Sequence, residues 1–116
     1  MNELIETIFE DFTVDNIKIP VSFLYYEGHG EPFITYLNLN KANSFSGDNE
    51  LLGYVDYYDF NVYSKGNYIG IIEKVRELLE NNGFIFQPSR CSADMYEVDT
   101  GYYHKTLNFA YMKEEI

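Results

Sequence analysis

The sequence has little cysteine and little basic charge. Cys91 is the single cysteine among 116 residues, which excludes an internal disulfide framework and a cysteine zinc cluster. There is no tryptophan, and only 8 lysines and arginines stand against 19 aspartates and glutamates. The resulting net charge of −11 argues against direct binding to a phosphate backbone. These shortages exclude classes of function without selecting one.

Long apolar runs are also missing. No stretch approaches the roughly 18 residues of a membrane span, and the first residues, MNELIE, lack the basic region and apolar core of a signal peptide. We therefore expect a soluble protein made and kept in a cytoplasm, with no membrane partner. Hydrophobic residues make up 46% and charged residues 23%, as in globular proteins, and the length suits one domain over residues 1–116.

The hydrophobic pattern predicts an α+β domain, with a mostly antiparallel sheet flanked by two α-helices. Helices are predicted over residues 2–12 and between an N-cap at Asn67 and a stop at Asn82–Gly83. Strands are predicted over residues 19–26, 33–40, 53–64, 84–87, 95–98 and 102–113. We expect the first two strands to form a hairpin around the turn at residues 28–32.

Residues 40–52 have the composition of a loop and no clear period. A loop of this length in a small domain is uncommon and often functional. We predict a long loop here that contacts a neighbouring molecule.

No combination of residues indicates catalysis, a metal or a cofactor. The imidazoles and the thiol lack the paired spacing of a zinc site: His29, His104 and Cys91. Three nearby acids do not match an EF-hand loop: Asp94, Glu97 and Asp99. No nucleophile elbow, Walker loop or dinucleotide fingerprint occurs. We therefore predict no enzyme, no catalytic residue and no cofactor, and a ligand-binding domain is disfavoured.

Asp56 and Asp59 are the candidate acid–base pair. Their offset of three along a strand places them on opposite faces of a sheet, which weakens that interpretation.

The 12 tyrosines are more than one small core can bury. Tyrosine is enriched at protein interfaces because it is large and carries a polar tip. We therefore interpret the chain as an interaction protein. The candidate interface residues are Tyr36, Asn43, Phe45, Asp48, Tyr54, Tyr57 and Tyr63.

Four segments carry a resemblance to a known family. They are IPVSF at residues 19–23, YYDFNVYS at 57–64, NNGF at 81–84 and YEVDTGYYHKTLNF at 96–109. With this order of elements, the sequence resembles the tail terminator family (tail completion, head–tail joining) of long-tailed bacteriophages and prophages of Gram-positive bacteria.

The resemblance implies an α+β subunit that assembles into a homohexameric ring. Such a ring caps the tail tube, presents its other face to the head-connector or stopper protein, and lets DNA pass without specific binding. The place of action would be the head–tail joint of the virion, after assembly in the bacterial host cytoplasm. The family has no catalytic residues. Asp56 and Asp59 are candidates to line the passage, where carboxylates would repel phosphates.

An alternative function fits the size and charge equally well. The chain would then be an acidic inhibitor or immunity protein that blocks a basic partner. This alternative does not explain the surplus of strand tyrosines or the polar segment at residues 40–52.

Overall fold

The computed structural model describes the backbone of residues 2–26, 28, 30–47, 50–66 and 68–114, and the side chains of residues 3–26, 28, 30–39, 55–66 and 68–112. The helices are α1, Asn2–Ile8, and α2, Ile69–Asn81. The strands are β1 (Thr13–Val14), β2 (Ile17–Lys18), β3 (Val21–Phe23), β4 (Phe33–Gly47), β5 (Glu50–Ser64), β6 (Ile85–Phe86), β7 (Met95–Glu97) and β8 (Tyr102–Glu114). Among the described residues, no helix is long and apolar enough to cross a membrane.

Six of the strands form one sheet in the order β3-β4-β5-β8-β6, with β7 also paired to β8. β1 and β2 form a separate two-stranded ribbon. Every pair in the large sheet is antiparallel except β3 with β4. The α+β class and the mostly antiparallel sheet are therefore confirmed.

The core lies on one face of this sheet, which we call the core face. Tyr58, Phe60 and Val62 of β5 have no exposed surface there, since alternate residues of a strand point to the same side. Both helices pack on this face through residues of the same buried cluster: Ile5 of α1, and Ile71, Val75 and Leu79 of α2. The helix predicted before Asn82 and the strand predicted over residues 53–64 are confirmed. The opposite side of the sheet is called the outer face.

The first helix is shorter than predicted. It ends at Ile8, and the chain continues through turns to Phe12. Asp11 has a φ of 56°, a left-handed conformation that cannot continue an α-helix. Phe9 and Phe12 still reach the core, where their rings meet at 5.2 Å.

β3 and β4 are parallel, so the predicted hairpin is wrong. The N–H of Ile34 donates to the carbonyl of Pro20 at 2.9 Å, and that of Leu24 donates to Tyr36 at 2.9 Å. These bonds fix a register in which Val21 lies opposite Ile34 and the two strands run the same way. A tight turn would join the two strands as an antiparallel pair. The chain between Phe23 and Phe33 instead returns to the start of β3 before β4 begins.

The predicted loop at 40–52 is also wrong for the residues that the structure describes. Residues 40–47 belong to β4 and residues 50–52 to β5, in a register that reaches Gly47 opposite Glu50. Residues 48 and 49 lie outside the described backbone. Asn, Ser and Gly have low strand propensity, but hydrogen bonds to β5 hold these residues in a strand. A pairing with another strand cannot be read from the composition of the segment alone.

Replacing a buried residue of α2 tests the core assignment. Leu79 has no exposed surface, so Leu79→Ala should lower the free energy of unfolding by about 2–5 kcal/mol through lost burial and a cavity. Urea denaturation measures this loss. Ile69→Ala on the same helix is the control, since Ile69 is 59% exposed and should cost less than about 0.5 kcal/mol. Equal losses for both variants would contradict the assignment.

Candidate protein-binding face of the sheet

A ladder of four stacked rings crosses the outer face. The ring centroids of Tyr26 and Phe33 are 4.7 Å apart, those of Phe33 and Tyr63 are 4.7 Å apart, and those of Tyr63 and His104 are 4.3 Å apart. The interplanar angles are 25°, 16° and 13°. The ladder follows from register, because Phe33 lies opposite Tyr63 and Tyr63 lies opposite His104 in neighbouring strands.

Tyr102 lies across the edges of this ladder. Its ring is nearly perpendicular to those of Phe33, at 5.6 Å, and Tyr63, at 6.3 Å. Neighbouring rings of the ladder already cover both faces of Phe33 and of Tyr63, so these two rings meet Tyr102 through their edges. The ammonium of Lys65 lies 5.1 Å from the centroid of the same ring, in a cation–π contact. These contacts fix the orientation of the aromatic side chains at this end of the face.

A row of polar side chains crosses the sheet beside the ladder. The hydroxyl of Thr106 donates to Asn61 Oδ1 at 2.6 Å, and Asn61 Nδ2 donates to the hydroxyl of Thr35 at 3.4 Å. In the next row, Asn108 Nδ2 donates to Asp59 Oδ1 at 2.8 Å. Most of these polar groups are thus paired with one another, whereas the buried Asn108 Oδ1 has no hydrogen-bond partner among the described residues.

Arg90 lies on the outer face near the middle of β5. It belongs to a 3-10 turn over Pro88–Arg90, and its guanidinium lies 3.9 Å from the ring centroid of Tyr57. Two tyrosine rings of this face, those of Tyr102 and Tyr57, therefore each contact a cation.

The ladder changes the pKa values of two of its members. Burial raises the pKa of the Tyr63 phenol, and the carboxylate of Glu97 raises it further. Burial lowers the pKa of the His104 imidazole, and Glu97 opposes that shift. Both side chains are therefore neutral at pH 7, which suits a surface that is to be dehydrated by a partner.

A groove of about 380 Å³ runs along the ladder. Its walls come from the segment that follows β3, from the ladder itself and from the β7–β8 turn; the lining residues are Leu24, Tyr25, Tyr26, Phe33, Thr35, Tyr63, Glu97, Thr100 and Tyr102. The groove thus extends from one edge of the sheet to the other.

The charges of the molecule are unevenly distributed between its two layers. The helix layer, residues 3–18 and 69–81, carries eight acidic and three basic residues. The outer face and the turns that border its groove hold three acids and two bases among the described side chains: Asp59, Glu97, Asp99, Lys65 and Arg90. The outer face is therefore closer to charge balance than the helix layer.

The structure moves two predicted site residues into the core. Tyr36 is 1% exposed and stacks on Phe60 at 5.7 Å, so it does not present an interface surface. Asp56 is also 1% exposed, on the core face beside Tyr58, whose pKa burial and the Asp56 carboxylate raise to about 12. Asp56 therefore does not line a passage in the folded subunit. Along their strands, both residues lie at positions whose side chains point to the core face. They are therefore buried, although one side chain is amphipathic and the other is charged.

Three predicted site residues do lie together on the outer face: Tyr57, Asp59 and Tyr63, all half-buried. Their role at an interface stays a prediction. The side chains of Asn43, Phe45 and Tyr54, and the whole of Asp48, lie outside the described residues, as does His29.

The remaining polar candidates have structural partners. The phenol of Tyr68 donates to Asp94, which also pairs with Lys105 at 3.6 Å. The Cys91 thiol donates to the carbonyl of Gln87 at 3.3 Å. Within the described part of the chain, no group of three or more His, Cys, Asp or Glu residues could hold a metal ion.

Sequence reasoning missed most of the ladder. Tyr26, Phe33 and Tyr102 were not among the predicted interface residues, and His104 was considered only as a zinc ligand. The available signal was the alternation in the last strand, where Tyr102, His104 and Thr106 share the side opposite Leu107. A scan against protein-family models finds no match, and a search of curated proteins finds no significant similarity.

The lowered pKa of His104 predicts a pH dependence of stability. The unfolded chain binds the proton near pH 6.5, more readily than the folded chain. His104 therefore favours the folded state above pH 6.5, and this contribution is lost as the pH falls from there through the lowered pKa. In a His29→Gln background, an NMR titration should give an imidazole pKa below 6.5 for the folded protein. A value at or above 6.5 would contradict the buried, stacked placement of the ring.

Lysine substitution distinguishes the two aspartates. Asp56→Lys should prevent folding, because an ammonium would be buried on the core face. Asp59→Lys should remain folded, with a loss of about 1–3 kcal/mol as the amide of Asn108 loses its acceptor. Circular dichroism during heating measures both. A cooperative, wild-type-like transition for Asp56→Lys would show that this side chain is accessible.

Proposed function

We propose that this chain is the subunit of a ring that resembles phage tail terminators, a homohexamer that caps the tail tube and joins it to the head-connector or stopper protein. The observation that carries the proposal is the outer face: an aromatic surface with little net charge on a chain with a net charge of −11. In this proposal DNA passes through the ring, and the protein acts in the virion, at the head–tail joint.

Charge favours contact between copies through the outer face rather than through the helix layer. Two helix layers, each with eight acids against three bases, repel one another. On the outer face, Lys65 and Arg90 offset two of the three described acids, so contact there adds less like charge than contact between helix layers. The tyrosines of this face also belong to the residue types enriched at interface cores.

Two of the four segments that carry the family resemblance contribute to this face. YYDFNVYS supplies Tyr57, Asp59, Asn61 and Tyr63 of β5, and YEVDTGYYHKTLNF supplies the facing residues of β8. The alternate residues of the same two segments belong to the core.

The helix layer is the source of carboxylates for a DNA passage. Asp56 is in the core, whereas the exposed acids of α1, the β1–β2 ribbon and α2 give this layer its negative surplus. An acidic lining repels the phosphates, so a duplex can move without being held.

Salt dependence tests this proposal against the acidic-inhibitor alternative. Copies of equal charge associate more tightly as salt rises, because the screening length falls from about 30 Å at 0.01 M to about 3 Å at 1 M. Sedimentation velocity across this range should therefore show monomers converting to one larger species, and negative-stain images of that species, alone or on tubes of the tail tube protein from the same genome, should show six-fold rings.

The alternative gives the opposite result. An inhibitor would stay monomeric at every salt concentration and form a complex with a basic protein that weakens as salt rises. A protein that remains monomeric in high salt and also fails to bind tail tubes would reject the ring.

A further inference from the structure

The chain leaves β3 through a strained turn at the surface. Leu24 has a φ of 69°, and the N–H of Tyr25 donates to the carbonyl of Phe23, two residues back, at 2.8 Å. This is the rare form of the γ-turn, whose central residue lies in the left-handed region. A leucine side chain cannot form the local hydrogen bonds with which Asp or Asn offset the strain of a positive φ. The other non-glycine residues with positive φ are of these polar types: Asp11, Asp15 and Asn16.

The strained turn holds three large side chains in solvent. Phe23 is 43% exposed, Leu24 57% and Tyr25 65%. We call these three residues the knob. The turn also serves the fold, since the N–H of Leu24 bonds to Tyr36 of β4 and the ring of Phe23 packs on that of Tyr36 at 5.5 Å. The exposed side chain of Leu24, however, gains no burial in the isolated subunit, and strained backbones cluster at binding and catalytic sites. The knob is therefore a candidate contact point for a partner.

The knob and the far wall of the groove lie at opposite edges of the sheet. The knob follows β3, the first strand in the sheet order, while Glu97, Thr100 and Tyr102 come from β7, β8 and the turn between them at the other edge. The groove joins the two positions across β4 and β5. Two copies placed side by side therefore bring the knob of one next to the far wall of the other.

We propose that the knob of one copy packs against the far wall of the groove in the next copy, in a head-to-tail contact between identical chains. The proposal rests on the proposed function, since it names the surface through which the ring assembles. A head-to-tail contact uses two different patches on each copy and generates a closed ring when the rotation between neighbours closes.

The charge distribution selects a second copy of this chain as the occupant. The contact region holds two described carboxylates, Glu97 and Asp99, and one described ammonium, Lys65 on the ring of Tyr102, and the knob brings no further carboxylate to it. A basic partner would be drawn instead to the helix layer, where acids outnumber bases. The knob itself is uncharged, and aromatic and large apolar side chains seated in a pocket are typical anchors of interfaces.

Two substitutions at Leu24 separate association from folding. Leu24→Gly and Leu24→Ala both remove the exposed side chain, so both should weaken self-association at least about ten-fold in sedimentation equilibrium. Glycine adopts a φ of 69° without strain, so Leu24→Gly should unfold at the wild-type temperature or above it, and Leu24→Ala below Leu24→Gly. Ile17→Ala is the matched control, because Ile17 is 53% exposed on β2 of the helix layer, and it should leave association unchanged.

A cross-linking experiment tests the contact directly. One chain carries Leu24→Cys and a second carries Thr100→Cys, both with Cys91→Ala, so that a mixed disulfide can form only between copies. Under mild oxidation the two chains should form the mixed dimer in higher yield than either pairs with itself. A mixture in which Ile17→Cys replaces Leu24→Cys is the control and should give little cross-linked product.

The outcomes distinguish the contact from the function. Rings that assemble normally with both Leu24 variants, or a mixed disulfide no more abundant than in the Ile17→Cys control, would overturn the knob contact and leave the ring itself standing. A wild-type protein that stays monomeric in high salt and on tail tubes would overturn the proposed function, and the knob contact with it. Weakened association with an intact fold, together with the mixed disulfide, supports the contact.

Discussion

The two-residue period of β5 is the constraint on which the rest of this structure depends. β5 lies between β4 and β8, so its backbone is hydrogen-bonded on both sides and its side chains have two faces to occupy. Tyr58, Phe60 and Val62 fill the core beneath the helices, which sends Asn61 and Tyr63 to the other side. A slip by one residue would exchange the two sets, bury the polar row and expose the core. The outer face is therefore fixed by the same register that builds the core.

Much of the fold is readable in the sequence where the signal is local. The apolar stripe of α2 and the alternation of β5 and β8 predict their burial correctly, because one face of each element must leave water. The failures are non-local. Residues 40–47 form a strand because β5 pairs with them, although their composition is typical of a loop. β3 pairs in parallel with β4 because the chain turns back at Leu24, and nothing in the adjacent turn residues reveals that direction.

The sequence predicts a surface rich in tyrosine, but it does not predict which tyrosines belong to it. A surplus of tyrosine correctly indicates that several remain near the surface, yet it does not say which. Tyr36 and Tyr63 each follow a β-branched residue within a strand, yet the first lies in the core and the second in the ladder. The ladder also needs Phe33 and His104 in register on both sides of Tyr63. Three strands distant in sequence contribute to it, so periodicity within any one of them is insufficient.

The charge distribution and the strained turn both favour the same mode of contact between subunits. The acid surplus of the helix layer raises the electrostatic cost of bringing the helix layers of two copies together, while the turn at Leu24 leaves an apolar side chain in water. A contact that covers the knob and avoids the acidic layer lowers both costs. The outer face, which carries less negative charge than the helix layer and is bordered by the knob, meets both conditions. The uneven charge therefore orients the copies, and the strained turn supplies the anchor.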